Sequence, residues 1–486
     1  MSKHADLIIR HAEVVDGTGR ARFAADVVVK EDRIVMVGDA TNWTAENDLN
    51  AEGLLVTPGF IDTHTHDDRV MLSNGAMLPK ITQGVTTVIT GNCGISLAPT
   101  PRPMTPPITP PMNLLDGEGI WFKYPTFASY IAALGESPPT TNSALLVGHT
   151  TLRIAVMSDF NRPATPDEIT AMKALLVEAM KAGAIGLSTG LAYEPAFLSS
   201  TEEIIELAKV ASQYGGLYCT HLRDEGDEVM EALEEAFLIG READLPVVIS
   251  HHKVAGKQNF GRSSETLAFI EKQMALQPIC LDCYPYSASS TVLAAKAAAS
   301  ALKVTVTWSV PHPTMAGREL ADIVKEWETT QEDAIKRLSP AGAIYHRMDE
   351  ADVSRILAFK DTMIGSDGLP HDEVPHPRLW GSFPRVLGHY SRDRGLFSFE
   401  KAIKKMTGLS AEKFGLKDRG VIREGAFADL VILNAETVAE GSSFAHPTIP
   451  AIGIETVIVN GKIAWKDGAV TSARPGRVLQ RAPSVS

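Results

Sequence analysis

Thr57-Pro58-Gly59-Phe60-Ile61-Asp62-Thr63-His64-Thr65-His66 is the stretch on which the fold turns. A Pro-Gly turn releases a short apolar strand, and two histidines follow at a spacing of two. Residues i and i+2 of a strand face the same side, so His64 and His66 point together. Two neutral imidazoles so placed form half of a divalent-metal site. The plainer alternative is a pair of histidines satisfied by hydrogen bonds; the apolar strand and its turn favour the metal.

Working outward, seven more apolar runs end near Cys93, His149, Thr189, His221, His251, Tyr284 and Asp367. Helical stretches separate them, the alternation expected of a parallel sheet built from βα units. Thr165-Pro166-Asp167-Glu168 reads as a helix start, with Thr as N-cap, Pro in the first turn and Glu closing a capping box. Ser200-Thr201-Glu202-Glu203 repeats that logic. Eight such units predict an α/β fold, a (β/α)8 barrel over residues 54–417, with catalytic groups at the C-terminal ends of its strands.

Two interruptions stand out. Residues 99–111 hold seven prolines, which excludes helix and central strand there. Residues 287–360 separate the last two barrel strands by far more than an ordinary connection, and predict an insertion covering the C-terminal face. Outside the barrel, residues 1–53 and 418–486 are rich in β-branched runs, with Asn460-Gly461 and Asp467-Gly468 as hairpin signals. They predict one small β domain assembled from both ends of the chain.

The 486 residues are 44% hydrophobic and 22% charged, ordinary for a globular protein. Forty-six Lys and Arg against 59 Asp and Glu leave a formal charge of −13, which argues against nucleic acid or an anionic membrane as partner. No apolar run reaches the length of a membrane span, and Met1–Asp6 lacks the apolar core of an export signal. A cytoplasmic location is the expectation. Four cysteines cannot build a disulfide framework in a chain this long.

Cys93 lies in Gly91-Asn92-Cys93-Gly94, where glycines let backbone approach a bound group, and a thiolate is a strong zinc ligand. Cys219 reads as a buried packing residue, and the lone Cys280-x-x-Cys283 lacks a second pair. His221 and the His251-His252 pair end the fifth and sixth strands. Only one of His251 and His252 can readily ligate, and local sequence does not choose between them. Ile364-Gly365-Ser366-Asp367-Gly368 places a carboxylate at the end of the eighth strand. Together these groups suit metal-assisted hydrolysis, with Asp367 carrying a proton from water to a leaving nitrogen.

The His64-x-His66 strand and terminal Asp367 resemble the amidohydrolase superfamily. Gly91–Gly94, Thr220-His221-Leu222-Arg223, Ser250–Lys253 and Gly365–Asp372 with Pro375–Gly381 are similar, more narrowly, to the N-acyl-D-amino-acid deacylases. The resemblance runs nearly end to end. It implies a tight zinc on Cys93, His221 and His251, a weaker second metal on His64 and His66, and Asp367 as catalytic base. It implies substrate contacts from Lys253, Tyr284, Ser290 and Arg378, and an insertion covering the site. The activity implied is hydrolysis of N-acyl-D-amino acids, small molecules, to a carboxylate and a free D-amino acid.

Tyr345 and Met348 are expected to line an apolar pocket for hydrophobic D-side chains. Lys296 and Lys303 would instead favour N-acyl-D-glutamate or D-aspartate, unless they belong to a solvated helix face. A cyclic-amide hydrolase of the hydantoinase or dihydroorotase kind is the other alternative. Those enzymes bridge two metals with a carboxylated lysine on strand four, and Ala184–Gly190 has no lysine. Oligomeric state is not encoded in any motif.

Overall fold

The computed structural model describes residues 3–481. Met1 and Ser2, the start of the segment read for an export signal, lie outside them, as do residues 482–486 of the expected small domain.

Eight parallel strands form the central sheet: β1 (Phe60–Asp62), β2 (Val85–Thr90), β3 (Asn142–Gly148), β4 (Gly186–Gly190), β5 (Leu217–His221), β6 (Val247–Ile249), β7 (Ile279–Cys283) and β8 (Thr362–Ile364). Each pairs with its neighbours in chain order. A Thr65–Gly368 bridge and a hydrogen bond from Thr63 N to Ile364 O (3.3 Å) close β8 onto β1. The architecture is the (β/α)8 barrel. All strand residues are buried, which is why they read as apolar runs and not as alternating ones.

The strands alternate between a helix-facing and an inward side. Ile89, Leu146, Val248 and Met363 pack the barrel interior together with Cys219 and Cys280, beside residues of the helix Gly408–Phe414. Cys219 and Cys280 are therefore packing groups, and all four cysteines are free. His221, two residues beyond Cys219, and Asp282, two beyond Cys280, keep the inward side as the strands rise toward the C-terminal face.

Helix Pro166–Ala182 begins with the Thr165 capping box and ends at Gly183, an N-cap worth about 1 kcal/mol. In helix Thr201–Gln213 only half of the expected box forms. Ser200 accepts from Glu203 N, but the Glu203 carboxylate is taken by His149 Nε2 (2.8 Å) and Arg153 Nη1 (2.6 Å).

Strands from both ends of the chain interleave in a separate nine-stranded sheet. Leu55–Pro58 pairs antiparallel with Leu430–Leu433, and Lys3–Val14 continues the sheet on the other side. The small sheet thus runs on to Pro58, past the boundary at residue 53. Asn460 (φ 47°) and Gly461 (φ 76°) adopt the left-handed turn that the Asn-Gly signal predicts.

The segment after β7 builds a three-stranded antiparallel sheet, with Ala341–His346 between Ala288–Val292 and Lys303–Ser309, backed by helices Leu320–Glu326 and Gln331–Leu338. Helix Glu350–Ala358 packs beside β7 and β8 as the barrel's own seventh helix. The inserted unit, here called the lid, is accordingly Ala288–His346 and ends before residue 360. Among the described residues, no helix is long and apolar enough to cross a membrane.

Candidate active site

Three residues at the C-terminal face hold a backbone conformation costly for side-chain-bearing residues: Cys93 (φ 52°), His251 (φ 36°) and Asp367 (φ 51°). The turn redirects each side chain toward the barrel axis after its strand has ended. Gly91 makes the Cys93 turn possible, because a Cβ there would overlap the Leu146 carbonyl oxygen. Gly365 serves the Asp367 turn, since its Cβ would fall 2.5 Å from His64 Cβ.

Ligand atoms of Cys93, His221 and His251 lie within 4.8 Å of one another, and so do those of His64, His66, Cys93 and Asp367. Cys93 Sγ is shared, 3.2 Å from His64 Nε2 and 3.3 Å from His251 Nε2. Asp367 Oδ1 is 3.2 Å from His66 Nε2 and 3.6 Å from His64 Nε2. His64 and His66 therefore do meet, although β1 ends at Asp62 and the pair sits in the segment just beyond it. His252 points the other way, to Thr266 Oγ1 (2.9 Å), which leaves His251 as the inward member.

Burial holds His64 down to about 3 and His221 well below the usual histidine range, and burial with the Lys253 ammonium lowers His251. The rings are neutral, the form that ligates metal. Burial and the Asp367 carboxylate push the Cys93 thiol well up, so a cation is needed to hold it as thiolate. A buried thiol and two neutral imidazoles converging on one point are the donor set of a catalytic zinc site with an open fourth position. Burial alone would raise the Asp367 carboxyl. The Arg378 guanidinium outweighs it and keeps the group well below the usual carboxylate range.

A second layer fixes the first. Asp282 Oδ1 accepts from His251 N (2.8 Å) and faces His64 Nδ1 at 3.6 Å. Glu225 lies 3.1 Å from His251 Nδ1, 3.7 Å from His221 Nε2 and 2.6 Å from Lys253 Nζ. Beneath β1, Lys80 donates to Asp62 Oδ2 and Ser366 Oγ (both 2.8 Å), while Asp62 Oδ1 accepts from Ser366 N (2.7 Å). That fully buried set clamps the residue preceding Asp367.

The residues expected to touch substrate divide. Ser290 borders the cavity with His66, His221, His251, Lys253 and Asp367. Tyr284 is buried, with Arg378 over one part of its ring at 4.6 Å and Lys253 at 5.6 Å. Arg378 is fully buried, with Nη1 2.7 Å from Asp367 Oδ2 and Nη2 donating to Ser290 O at 3.0 Å. Tyr345 and Met348 are corrections, for neither reaches this cavity. Tyr345 lies in the core of the lid, its hydroxyl donating to Val292 O (2.8 Å) and accepting from Ala294 N (2.9 Å). Met348 lines a small void behind Lys253 and Tyr284.

Lys296 stands in solvent, paired with Asp224 at 3.2 Å, and Lys303 pairs with Glu319 on the lid surface. The apolar wall comes instead from Leu114, Leu369 and Tyr193. Leu114 belongs to the turn that follows the proline-rich stretch, which thereby acquires a place at the site. Sequence reading also missed Glu225, Asp282, the Asp62–Lys80 pair and Arg347.

The chain is similar to known proteins over nearly its whole length. The amidohydrolase family model matches residues 49–272 and 330–464. The chain is 53% identical to the D-aminoacylase of Alcaligenes xylosoxydans xylosoxydans, over 99% of its own length and 98% of that protein's. It is 48% identical to the N-acyl-D-aspartate deacylase of the same organism, over 98% and 95%. It superposes with a TM-score of 0.95 on the N-acyl-D-glutamate deacylase of Bordetella bronchiseptica, solved with zinc and a phosphonate mimic of the tetrahedral intermediate. There the identity is 42%, over 98% of this chain and 100% of that one.

Proposed function

The chain belongs to the amidohydrolase family, and from that footing we propose that it is a zinc-dependent deacylase that hydrolyses N-acyl-D-amino acids to a carboxylate and a free D-amino acid. One observation carries the reading: Cys93, His221 and His251 converge at the mouth of the barrel beside an ionised Asp367. Zinc bound there polarises an acyl carbonyl and eases ionisation of water. His64 and His66 offer a weaker second position that shares Cys93 and Asp367.

The chain's own residues do the rest. Asp367 takes the proton of the attacking water and returns it to the leaving nitrogen. Arg378 fixes Asp367 Oδ2, which leaves Oδ1 on the side of His64 and His66. Glu225 orients His251 through Nδ1. Lys253 and Ser290 border the substrate's polar end, with the Tyr284 ring behind Lys253, and Leu114, Leu369 and Tyr193 favour neutral, mostly hydrophobic D-side chains.

A cyclic-amide activity finds no support in β4, whose five buried residues include no lysine. Four free, buried cysteines suit a reducing, cytoplasmic setting, and the −13 charge suits a small-molecule partner in preference to a polyanion. The test is turnover of N-acetyl-D- against N-acetyl-L-amino acids by the purified protein, with metal content by mass spectrometry. D-selective hydrolysis with about one tightly held zinc per chain is expected. Equal turnover of both hands, or a preference for hydantoins, overturns the reading.

A further inference from the structure

Lys253, Glu225 and Arg347 line the cavity and Arg378 backs it, and all of these but Arg347 are closely paired. Lys253 is 2.6 Å from Glu225 Oε1. Arg378 has one arm on Asp367 and the other on the Ser290 carbonyl. Arg347 differs. It lines the cavity alongside His221, His251 and Asp367, and its Nε donates to Ser289 Oγ (2.9 Å). Its one ion-pair contact is Nη2 to Glu225 Oε2 at 3.9 Å, an acid already held by Lys253.

Its backbone is pinned where lid and barrel meet, for Gly256 N donates to Arg347 O at 2.8 Å. The Tyr345 ring backs the guanidinium at 5.6 Å. This is an anchored cation, side-chain exposure 15%, whose ion pair with Glu225 is a long one at 3.9 Å.

We propose that Arg347 is a substrate-binding residue whose guanidinium receives a carboxylate of the substrate from the lid side. The inference rests on the deacylase reading. Every N-acyl amino acid carries a carboxylate three bonds from its scissile carbonyl carbon, and a guanidinium fork receives such a group through two parallel hydrogen bonds. Arg347 is separated from the ligand His221 by a single carboxylate, Glu225, which lies 3.7 Å from His221 Nε2. An acidic side chain could present the same group. The shared chemistry is a carboxylate held between the lid and the metal ligands.

The test uses the zinc-loaded full chain and Arg347→Met, with Arg347→Lys as the conservative variant. The ratio of kcat/KM for acid over amide is measured for N-acetyl-D-leucine against its α-carboxamide, and for N-acetyl-D-glutamate against N-acetyl-D-glutamine. Loss of a charge-assisted fork lowers one of these ratios by about 10- to 100-fold, with zinc content unchanged and partial recovery in Arg347→Lys. A drop in the first pair identifies the α-carboxylate, and a drop in the second alone identifies the side-chain group. Equal losses on acid and amide, or no loss, overturn the proposal. A wild-type protein that hydrolyses none of the linear substrates removes the deacylase reading itself, and this inference with it.

Discussion

Glu225→Gln removes one negative charge from behind His221 and His251, the proposed zinc ligands, and changes little else in shape. The carboxylate lies 3.1 Å from His251 Nδ1, 3.7 Å from His221 Nε2 and 2.6 Å from Lys253 Nζ. Burial works against its charge, but the Lys253 ammonium more than offsets that and holds it well below the usual carboxylate range. A carboxylate behind a ligating imidazole fixes the ring and raises its basicity, and its loss typically costs about 10- to 100-fold in metal affinity. That corresponds to ~1.4–2.7 kcal/mol. The assay is equilibrium competition for zinc against a fluorescent chelator, with turnover recorded separately at saturating zinc. Zinc Kd should rise by about 10- to 100-fold, and activity at saturation should fall less. Stranding the buried Lys253 ammonium adds an instability of up to roughly 3–5 kcal/mol, so Glu225→Gln/Lys253→Met is the informative companion. Its stability should return toward wild type while zinc affinity stays low. An unchanged zinc Kd in the single variant would refute the reasoning. So would recovery of affinity in the double, because the stranded ammonium would then be the cause.

Cys93→Ser should lose the tightly held zinc; retention of wild-type zinc content, read by mass spectrometry, would take Cys93 out of the ligand set. Asp367→Ala should keep zinc yet lose about 10²- to 10⁴-fold in kcat, and full activity would assign the proton transfer elsewhere. Lys80→Met strands the buried carboxylates Asp62 and Asp67 and should destabilise by ~3–5 kcal/mol in urea unfolding; Asp62→Asn/Lys80→Met should recover part of that loss, and an undiminished loss would show that charge is not its origin. Burial opposes the Glu203 charge, but bonds from His149 and Arg153 hold the carboxyl at about 2 when folded. Against about 4.3 unfolded, this contributes roughly 3 kcal/mol that is present above pH ~4.3 and lost as pH falls toward 2. The stability gap between wild type and Glu203→Gln should close across that window, and a pH-independent gap would contradict it.

The strands were legible because a barrel strand buries both faces, which leaves a short apolar run with a functional group at its end. Cys93, His221, His251 and Asp367 could be picked out at those ends. What periodicity could not supply was direction. Cys93, His251 and Asp367 reach the axis through left-handed turns, and alternation says nothing about a side chain past such a turn. The flanking glycines at 91, 94, 365 and 368 were the available sign. Glu225 hid in the acid-rich Asp224-Glu225-Gly226-Asp227, which reads as a solvated loop. Lys80 sat in a single helical turn, and its burial depends on Asp62 and Ser366 being carried to it by the closing of the barrel. Tyr345 failed for the opposite reason. An aromatic late in the insertion suggested a pocket wall, but the lid has a core of its own to fill, and Tyr345 fills it.

The lid also bears on how a chain with a formal charge of −13 takes an anionic substrate. At physiological salt, charges beyond about 8 Å across solvent are largely screened, so the distant acidic surface matters less than the cavity wall. In and behind that wall, Arg378 and Lys253 are each fixed closely to an anion. Arg378 keeps Asp367 ionised and aimed. Lys253 balances the Glu225 carboxylate behind the metal ligands. Arg347, immediately after the lid, is held less closely, 3.9 Å from Glu225 Oε2. Placing that cation just past the lid, where lid and barrel meet, lets the barrel keep its own charges closely paired.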